Sequence, residues 1–409
     1  MDGANRTAVT YRYERWRAFS AGVIETAGMT FLLLIAVRHF QAGAVAKALV
    51  SAGGSIGLLA SPLVVWMVSR RGWPAARAAA WLCRVGTLCF LVMAAAPFLP
   101  VFVFGAVLSL ASAYSAIPLL THIYQENYPE RERGRLFSRT VVIRIAMAAL
   151  FSELGGRLLA SDVEQFPWLL VIFAAAFGFS GFCLDRIPST RLADDGGSHP
   201  LRALRFARDD DVFRRTLICW MLMGLANLMM LPLRVEYLAN HRYGLELDVP
   251  AIALLAGVLP NLARLVMSPL WGWLFDRMNF FVLRVVLNAG FALGILAFFT
   301  SNSLPGLVAG ALIFGVSNAG GDVAWSLWVT KIAPPARVAE YMAVHTFFNG
   351  IRGVAAPLLA FAAAGHVPLS WLALFCAALI VLASLMLLPE IKLDRARRRA
   401  AALVEEVSE

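Results

Sequence analysis

"SPLVVWMVSRR", Ser61–Arg71, is written again in altered form as "SPLWGWLFDRM", Ser268–Met278. Ser, Pro, Leu, Trp and Arg recur at matched positions, 207 residues apart in a chain of 409. Five matches are weak evidence in an apolar chain. Their meaning depends on what kind of chain this is and on what else recurs at the same offset.

The composition answers the first question. The chain is 60% hydrophobic and 15% charged, with a mean hydropathy of +0.70. A soluble domain is about half apolar and about a quarter charged. This much apolar surface calls for a bilayer, which a helix crosses with about 20 apolar residues. Twelve such runs are legible, at 18–37, 44–68, 75–96, 101–123, 138–160, 166–184, 215–233, 250–274, 282–300, 305–329, 340–363 and 368–388. Their length predicts helices, because barrel strands would be about 10 residues of alternating polarity. The first run carries Glu25 and is long for a signal peptide, so it reads as a retained span. All five cysteines fall inside spans, with no CxxC spacing, so neither a disulfide framework nor a metal site is expected.

The net charge of +10 is distributed by loop. Arginines crowd the N-terminus, the 2–3 loop (Arg70, Arg71, Arg77), the 4–5 loop (Arg131, Arg133, Arg135), the centre and the tail, while the 3–4, 9–10 and 11–12 loops hold no Lys or Arg. Positive charge gathers on the cytoplasmic side, which predicts cytoplasmic termini and a multi-pass plasma (inner) membrane protein. The basic tail then reads as an orientation signal or lipid-headgroup contact, and no nucleic-acid partner is expected.

A polar stretch, 186–214, divides the spans six and six, with a short amphipathic helix near Leu201–Ala207. The organisation predicted is a six-helix bundle over 1–185, a cytoplasmic loop over 186–214, a second bundle over 215–389 and a basic tail over 390–409. Nearby offsets, 206 and 208, recur elsewhere. Pro129-Glu130-Arg131 after span four answers Pro335-Ala336-Arg337 after span ten, and Arg144 in span five answers Arg352 in span eleven. A duplicated six-helix unit is the economical reading, and parallel repeats of this kind are a transporter architecture.

The second phrase contains Gly272, Asp276 and Arg277, and resembles the G-x-x-x-D-R-x-G-R loop signature of the major facilitator superfamily. The first copy departs from it: Val65 replaces Gly and Ser69 replaces Asp, leaving Arg70 and Gly72. The resemblance implies an all-α integral membrane fold of twelve helices in two pseudo-symmetric six-helix bundles. It also implies a central cavity lined by spans 1, 4, 7 and 10 and flanked by 2, 5, 8 and 11. Residues Arg70, Gly72, Gly272, Asp276 and Arg277 would form a gating loop, and transport would proceed by alternating access.

Charges within spans are functional candidates because they are costly. Residues three or four apart share a helix face, which groups Asn261, Arg264 and Ser268 in span eight. Asn318, Asp322 and Trp325 form a stripe in span ten, and His345, Asn349 and Arg352 another in span eleven. Asn227 in span seven, with Glu25 and Arg144 in the first half, completes the set of substrate or coupling candidates. For each, the plain alternative is helix–helix hydrogen bonding. Glu153 and Arg157, four apart, are expected to pair with each other, and Arg84 to snorkel or pair near the gate.

The glycines of "AGGSIGLL" and "GVSNAGGD" are not phosphate loops, since no Walker lysine follows them. No cofactor is expected, and transport of a small-molecule substrate would run on a gradient, with a proton the expected coupling ion. A monomer is expected. Two other classes compete. A membrane enzyme would need a dense catalytic set, but the six histidines show no i, i+4 pair. A transporter-like sensor or assembly protein would bind without flux. The topology has a direct test. Single cysteines at Ser198 and Ser303, in a chain lacking the native cysteines, should react with an impermeant maleimide from opposite sides of the membrane. Labelling from one side would break the assignment.

Overall fold

Both copies of the repeated phrase close a long helix, and their local geometry repeats as well. The computed structural model describes residues 3–192, 199–239, 241–245, 247, 251–252 and 254–392. Its described residues are helical, apart from connecting segments and one isolated antiparallel bridge between Pro74 and Arg191. Helix α1 (Gly3–Thr26) passes through a π turn at Ala27–Phe31 into α2 (Leu32–Arg38). Then follow α3 (Ala44–Arg70), α4 (Ala75–Ala95), α5 (Leu99–Ser115), α6 (Ile117–Asn127), α7 (Arg133–Ser161) and α8 (Phe166–Asp185). After the centre come α9 (Phe206–Asp209) and α10 (Asp211–Ala239), then a second π turn at Leu254–Val258 that leads into α11 (Leu259–Arg277). The chain finishes with α12 (Phe280–Phe299), α13 (Leu304–Leu327), α14 (Val338–Ala364) and α15 (Leu369–Leu385).

Ten helical stretches among the described residues are long and apolar enough to cross a membrane. The remaining two of the twelve runs lie in α1–α2 and α7. Both are helical but richer in charge: α7 alone carries Arg133, Arg135, Arg139, Arg144, Glu153 and Arg157. Side-chain size supports a bilayer as the surroundings. Helix α15 buries Ala373, Cys376, Ala377 and Ala383 while exposing Trp371, Leu374, Phe375 and Leu385. Its buried face also holds Leu369, Leu372 and Ile380, and large apolar residues turned outward suit lipid as surroundings.

In the phrase, Ser61 bonds back to the Gly57 carbonyl at 3.2 Å, and Ser268 to the Arg264 carbonyl at 2.6 Å. Each serine is followed by a proline inside the helix, which cannot donate to the carbonyl four residues back. The guanidinium of Arg70 lies 5.3 Å from the Trp66 ring, and that of Arg277 lies 4.6 Å from the Trp273 ring. The endings then diverge. Gly72 takes a left-handed φ of +59°, and bonds from Gly72 N–H to Ser69 and from Trp73 N–H to Val68 close a Schellman cap. Helix α11 instead stops at Met278 in extended conformation, and Asn279 caps α12 by accepting from the Val282 amide at 3.0 Å.

Tertiary contacts divide the chain into two units, 1–205 with 333–354, and 206–332 with 355–409. Helix α14, expected wholly in the second bundle, contributes its opening turns to the first unit. The reason is glycine. A Cβ on Gly350 would lie 2.9 Å from the Leu59 backbone nitrogen and from the Ser55 carbonyl oxygen, so α14 rests directly on the backbone of α3.

The described parts of the central segment are engaged with the fold. Residues 200–205 form a 3-10 turn leading into α9. Residues 188–191 lie across the start of α4 and the end of α6 in the first unit. There Ala75 N–H reaches Thr190 O at 3.3 Å, Ala76 N–H reaches Ser189 Oγ at 3.0 Å, and Asn127 donates to Pro188 O at 2.7 Å. The segment thereby satisfies donors that every helix N-terminus leaves open.

Within the second unit, α13 meets the α11 region at Gly315, where a Cβ would fall 2.4 Å from the Pro260 carbonyl oxygen. Backbone cannot yield as a side chain can. Gly315→Val should therefore cost about 1–3 kcal/mol and lower the melting temperature of the detergent-solubilised protein. Gly156→Ala, with nothing within 4 Å of the new methyl, is the control and should leave melting unchanged.

Candidate functional site

In the first unit the carboxylate is Glu25 of α1. Helices α1 and α7 pack together, and Gly22, one turn before Glu25, permits the approach: its Cβ would lie 2.5 Å from the Arg144 carbonyl oxygen. Arg144 Nε then stands 3.1 Å from Glu25 Oε2, with the two side chains 31% and 27% exposed. The pair is half open, able to meet water or a solute. The π turn begins two residues after Glu25, with Leu32 N–H bonded five residues back to Ala27 O. Such turns are rare and gather at functional sites. The sequence offers no periodic signal for one.

The second unit repeats the chemistry on different helices. Arg264 of α11 bonds Asp322 of α13, and these side chains are 14% and 20% exposed. Here too a π turn lies close, at Leu254–Val258, just before α11. Pro260 accounts for it, since a proline cannot donate to the Ala256 carbonyl and the regular register fails there. Gly315 again allows the two helices to meet. In each unit, one of these Arg–carboxylate pairs thus lies beside a glycine contact and a π turn.

The stripe on α14 forms a chain along one helix. Arg352 donates to Asn349 Oδ1, and Asn349 Nδ2 donates to the His345 carbonyl at 2.6 Å. His345 is fully buried and Asn349 nearly so. Asn349 therefore connects neighbouring turns of one helix, the plain alternative for an intramembrane asparagine. Asn227 leaves its buried Oδ1 without a partner. Asn261 is exposed and Trp325 half-buried, and Asn318 lies one turn before Asp322 in α13. Glu153 and Arg157 pair at 2.7 Å on an exposed face of α7. Arg84 pairs with Asp185 and lies 4.8 Å from the Trp81 ring. At the end of the second phrase, Arg277 rests on Trp273.

Sequence reasoning passed over several polar groups. Glu14, Arg17 and Tyr124 close a buried ring of hydrogen bonds, with Arg17 donating to both Glu14 oxygens at 2.7 and 2.8 Å and to Tyr124 at 2.9 Å. Glu14 and Arg17 sit on one face of α1, three apart, the spacing that could have flagged them. Arg284, fully buried in α12, lies 3.5 Å from the Trp220 ring centre.

Removing one charge of a partly buried pair strands the other, so the Arg264–Asp322 pair can be tested by a double-mutant cycle. Arg264→Gln and Asp322→Asn should each lower the melting temperature in nanodiscs more than the double variant does. A coupling of about 1–3 kcal/mol is expected. Additive losses would mean the two side chains do not act as a pair.

Residues 244–407 match the family model "Major Facilitator Superfamily". No curated protein matches the chain. Among solved structures, the chain is similar to the human organic anion transporter MFSD10 (TETRAN), at 16% identity and a TM-score of 0.72, covering 95% of this chain and 100% of that one. It is also similar to a bacterial homologue of the iron transporter ferroportin in an outward-facing state, at 15% identity and a TM-score of 0.71, covering 93% and 98%. A variant of the E. coli fucose:proton symporter FucP gives 14% identity and a TM-score of 0.66, covering 92% and 98%. The chain thus matches the major facilitator superfamily in sequence over residues 244–407, and along nearly its whole length it shares the fold of these solved transporters.

Proposed function

We propose that this protein is a secondary active transporter that moves a small solute across the plasma (inner) membrane by alternating access, coupled to protons. Two six-helix bundles, 1–185 and 215–389, would move about a central site, with both termini and the 186–214 segment in the cytoplasm. The observation that carries the reading is the pair of half-open Arg–carboxylate sites, Glu25–Arg144 and Asp322–Arg264. A carboxylate in a span is disfavoured unless it is paired or protonated. A nearby arginine favours the ionised form, and closure that excludes water and withdraws the arginine favours the neutral one. An acid whose surroundings alternate in this way takes a proton on one side and releases it on the other.

Arg144, Arg264 and Arg352 favour an anionic or hydroxyl-rich solute. Relatives by fold include a symporter for fucose and protons and an organic anion transporter, which supports both classes. In this reading Arg264 exchanges its partner between Asp322 and the solute. Arg70, Gly72, Gly272, Asp276 and Arg277 would gate the cytoplasmic ends, with the Arg–Trp stacks re-formed or broken as the helix ends move.

Proteoliposomes loaded with a pH-sensitive dye test the coupling. A panel of sugars and organic anions should include a solute that drives proton entry. Asp322→Asn or Glu25→Gln should then abolish gradient-driven accumulation of that solute while keeping solute exchange, because exchange needs no net proton movement. Permanent structural bridges would instead lose both activities together. Accumulation at the parent level in both variants would exclude both carboxylates as the coupling site.

A further inference from the structure

A second feature of the 206–332/355–409 unit lies away from the ion pair. At the end of the unit where α12 turns into α13 and α14 into α15, a cavity of about 580 Å³ opens. Tyr237, Tyr243 and Phe299 give it aromatic walls, and Arg242, Asn302 and His366 give it polar ones. None of its described lining residues is a carboxylate.

The polar groups are oriented. Tyr237 donates its hydroxyl toward the Ser301 carbonyl at 3.2 Å and Asn302 Oδ1 at 3.0 Å. With Oδ1 so engaged, the Asn302 amide keeps its N–H donors for another partner. His366 Nδ1 stands 2.9 Å from the Ala362 carbonyl, so Nδ1 carries the hydrogen and Nε2 remains available.

Beneath the aromatic wall lies a cation. Arg234 sits one turn before Tyr237 on α10 and is 2% exposed. Its guanidinium lies 3.4 Å from the Phe314 ring centre and 5.3 Å from that of Phe298, and its Nε has no hydrogen-bond partner. Phe298 also neighbours the Tyr237 ring, at 6.4 Å between centroids. Ring faces return only about 2 kcal/mol to a desolvated cation, well short of what removing a charge from water costs. Arg234 has no acidic partner among the described residues, so its field reaches the space above it.

We propose that this cavity binds a small organic anion with a planar apolar body. The ring is held by Tyr237, Tyr243 and Phe299, the anionic group meets the Arg242–Asn302 side, and Arg234 attracts it from below. On the topology proposed above, the cavity opens on the non-cytoplasmic side and serves as a vestibule where solute is held before it reaches the interior. The binding itself requires neither flux nor a proton gradient.

The probe is benzoate, with the neutral isostere benzamide as control. Ligand-observed saturation-transfer NMR on the full chain in nanodiscs of zwitterionic lipid reads the binding. Benzoate should bind the parent and benzamide should not. Ser370→Trp, at an exposed position lining the cavity, should abolish the signal by filling the space. Arg234→Gln should weaken binding by about tenfold or more, as loss of a nearby charge in a low-dielectric interior requires, while Arg234→Lys should retain most of it. Equal binding of benzamide, or a benzoate signal unchanged by Ser370→Trp, would overturn the proposal. So would parent-level affinity in a monodisperse Arg234→Gln. If Arg234→Gln does not fold, the Ser370→Trp and benzamide comparisons decide alone. Because no gradient is present, failure here leaves the transport reading untouched, and failure of proton coupling leaves this site standing.

Discussion

Charge inside a bilayer is the constraint on which this structure turns. An arginine or carboxylate at mid-span costs roughly 2.5–3.5 kcal/mol even by lenient scales. Opposite charges offset that cost only if two helix backbones come close enough for the side chains to meet. Gly22 supplies that closeness for Glu25 and Arg144, and Gly315 for Arg264 and Asp322. The ion pairs and the glycine contacts are therefore one device. Without the glycine the helices stand apart, and without the pair a charge is stranded in the interior.

The same economy governs the irregular backbone. A π turn lies beside each pair, where Pro260 in one case forbids the regular register. In a membrane such irregularity survives only where it is buried in protein or lines an aqueous space. Its position in both units marks where the helices are least uniform and where the polar side chains gather. In other spans glycines serve packing: a Cβ on Gly86 would lie 2.3 Å from Phe177, and one on Gly310 would lie 2.6 Å from the Phe298 backbone nitrogen.

The repeated phrase carries a parallel lesson. Its two copies keep a serine bonded one turn back, a proline inside the helix and an arginine resting on a tryptophan four residues earlier. They differ where the chain must turn. Gly72 ends one helix in a left-handed cap, whereas Asn279 starts the next helix after the other copy. Internal helix geometry follows local sequence and so recurs with the phrase. Helix ends answer to the connecting loop, and the two loops differ.

By itself the sequence determined the class of solvent, the helical regions and the repeat. All three follow from local quantities: the length of apolar runs, the loops that hold arginine, and residues recurring near one offset. It also named Glu25, Arg144, Arg264 and Asp322, because a charge in an apolar run is visible without knowing its neighbours. Only the tertiary structure decided who pairs with whom. Arg144 meets Glu25 across 119 positions of chain, and no helical spacing encodes such a contact. The π turns, the engagement of residues 188–191, the place of early α14 beside α3 and the buried Arg234 under an aromatic wall were likewise out of reach. Each depends on which backbone comes near which, and that is set by packing among helices distant in sequence.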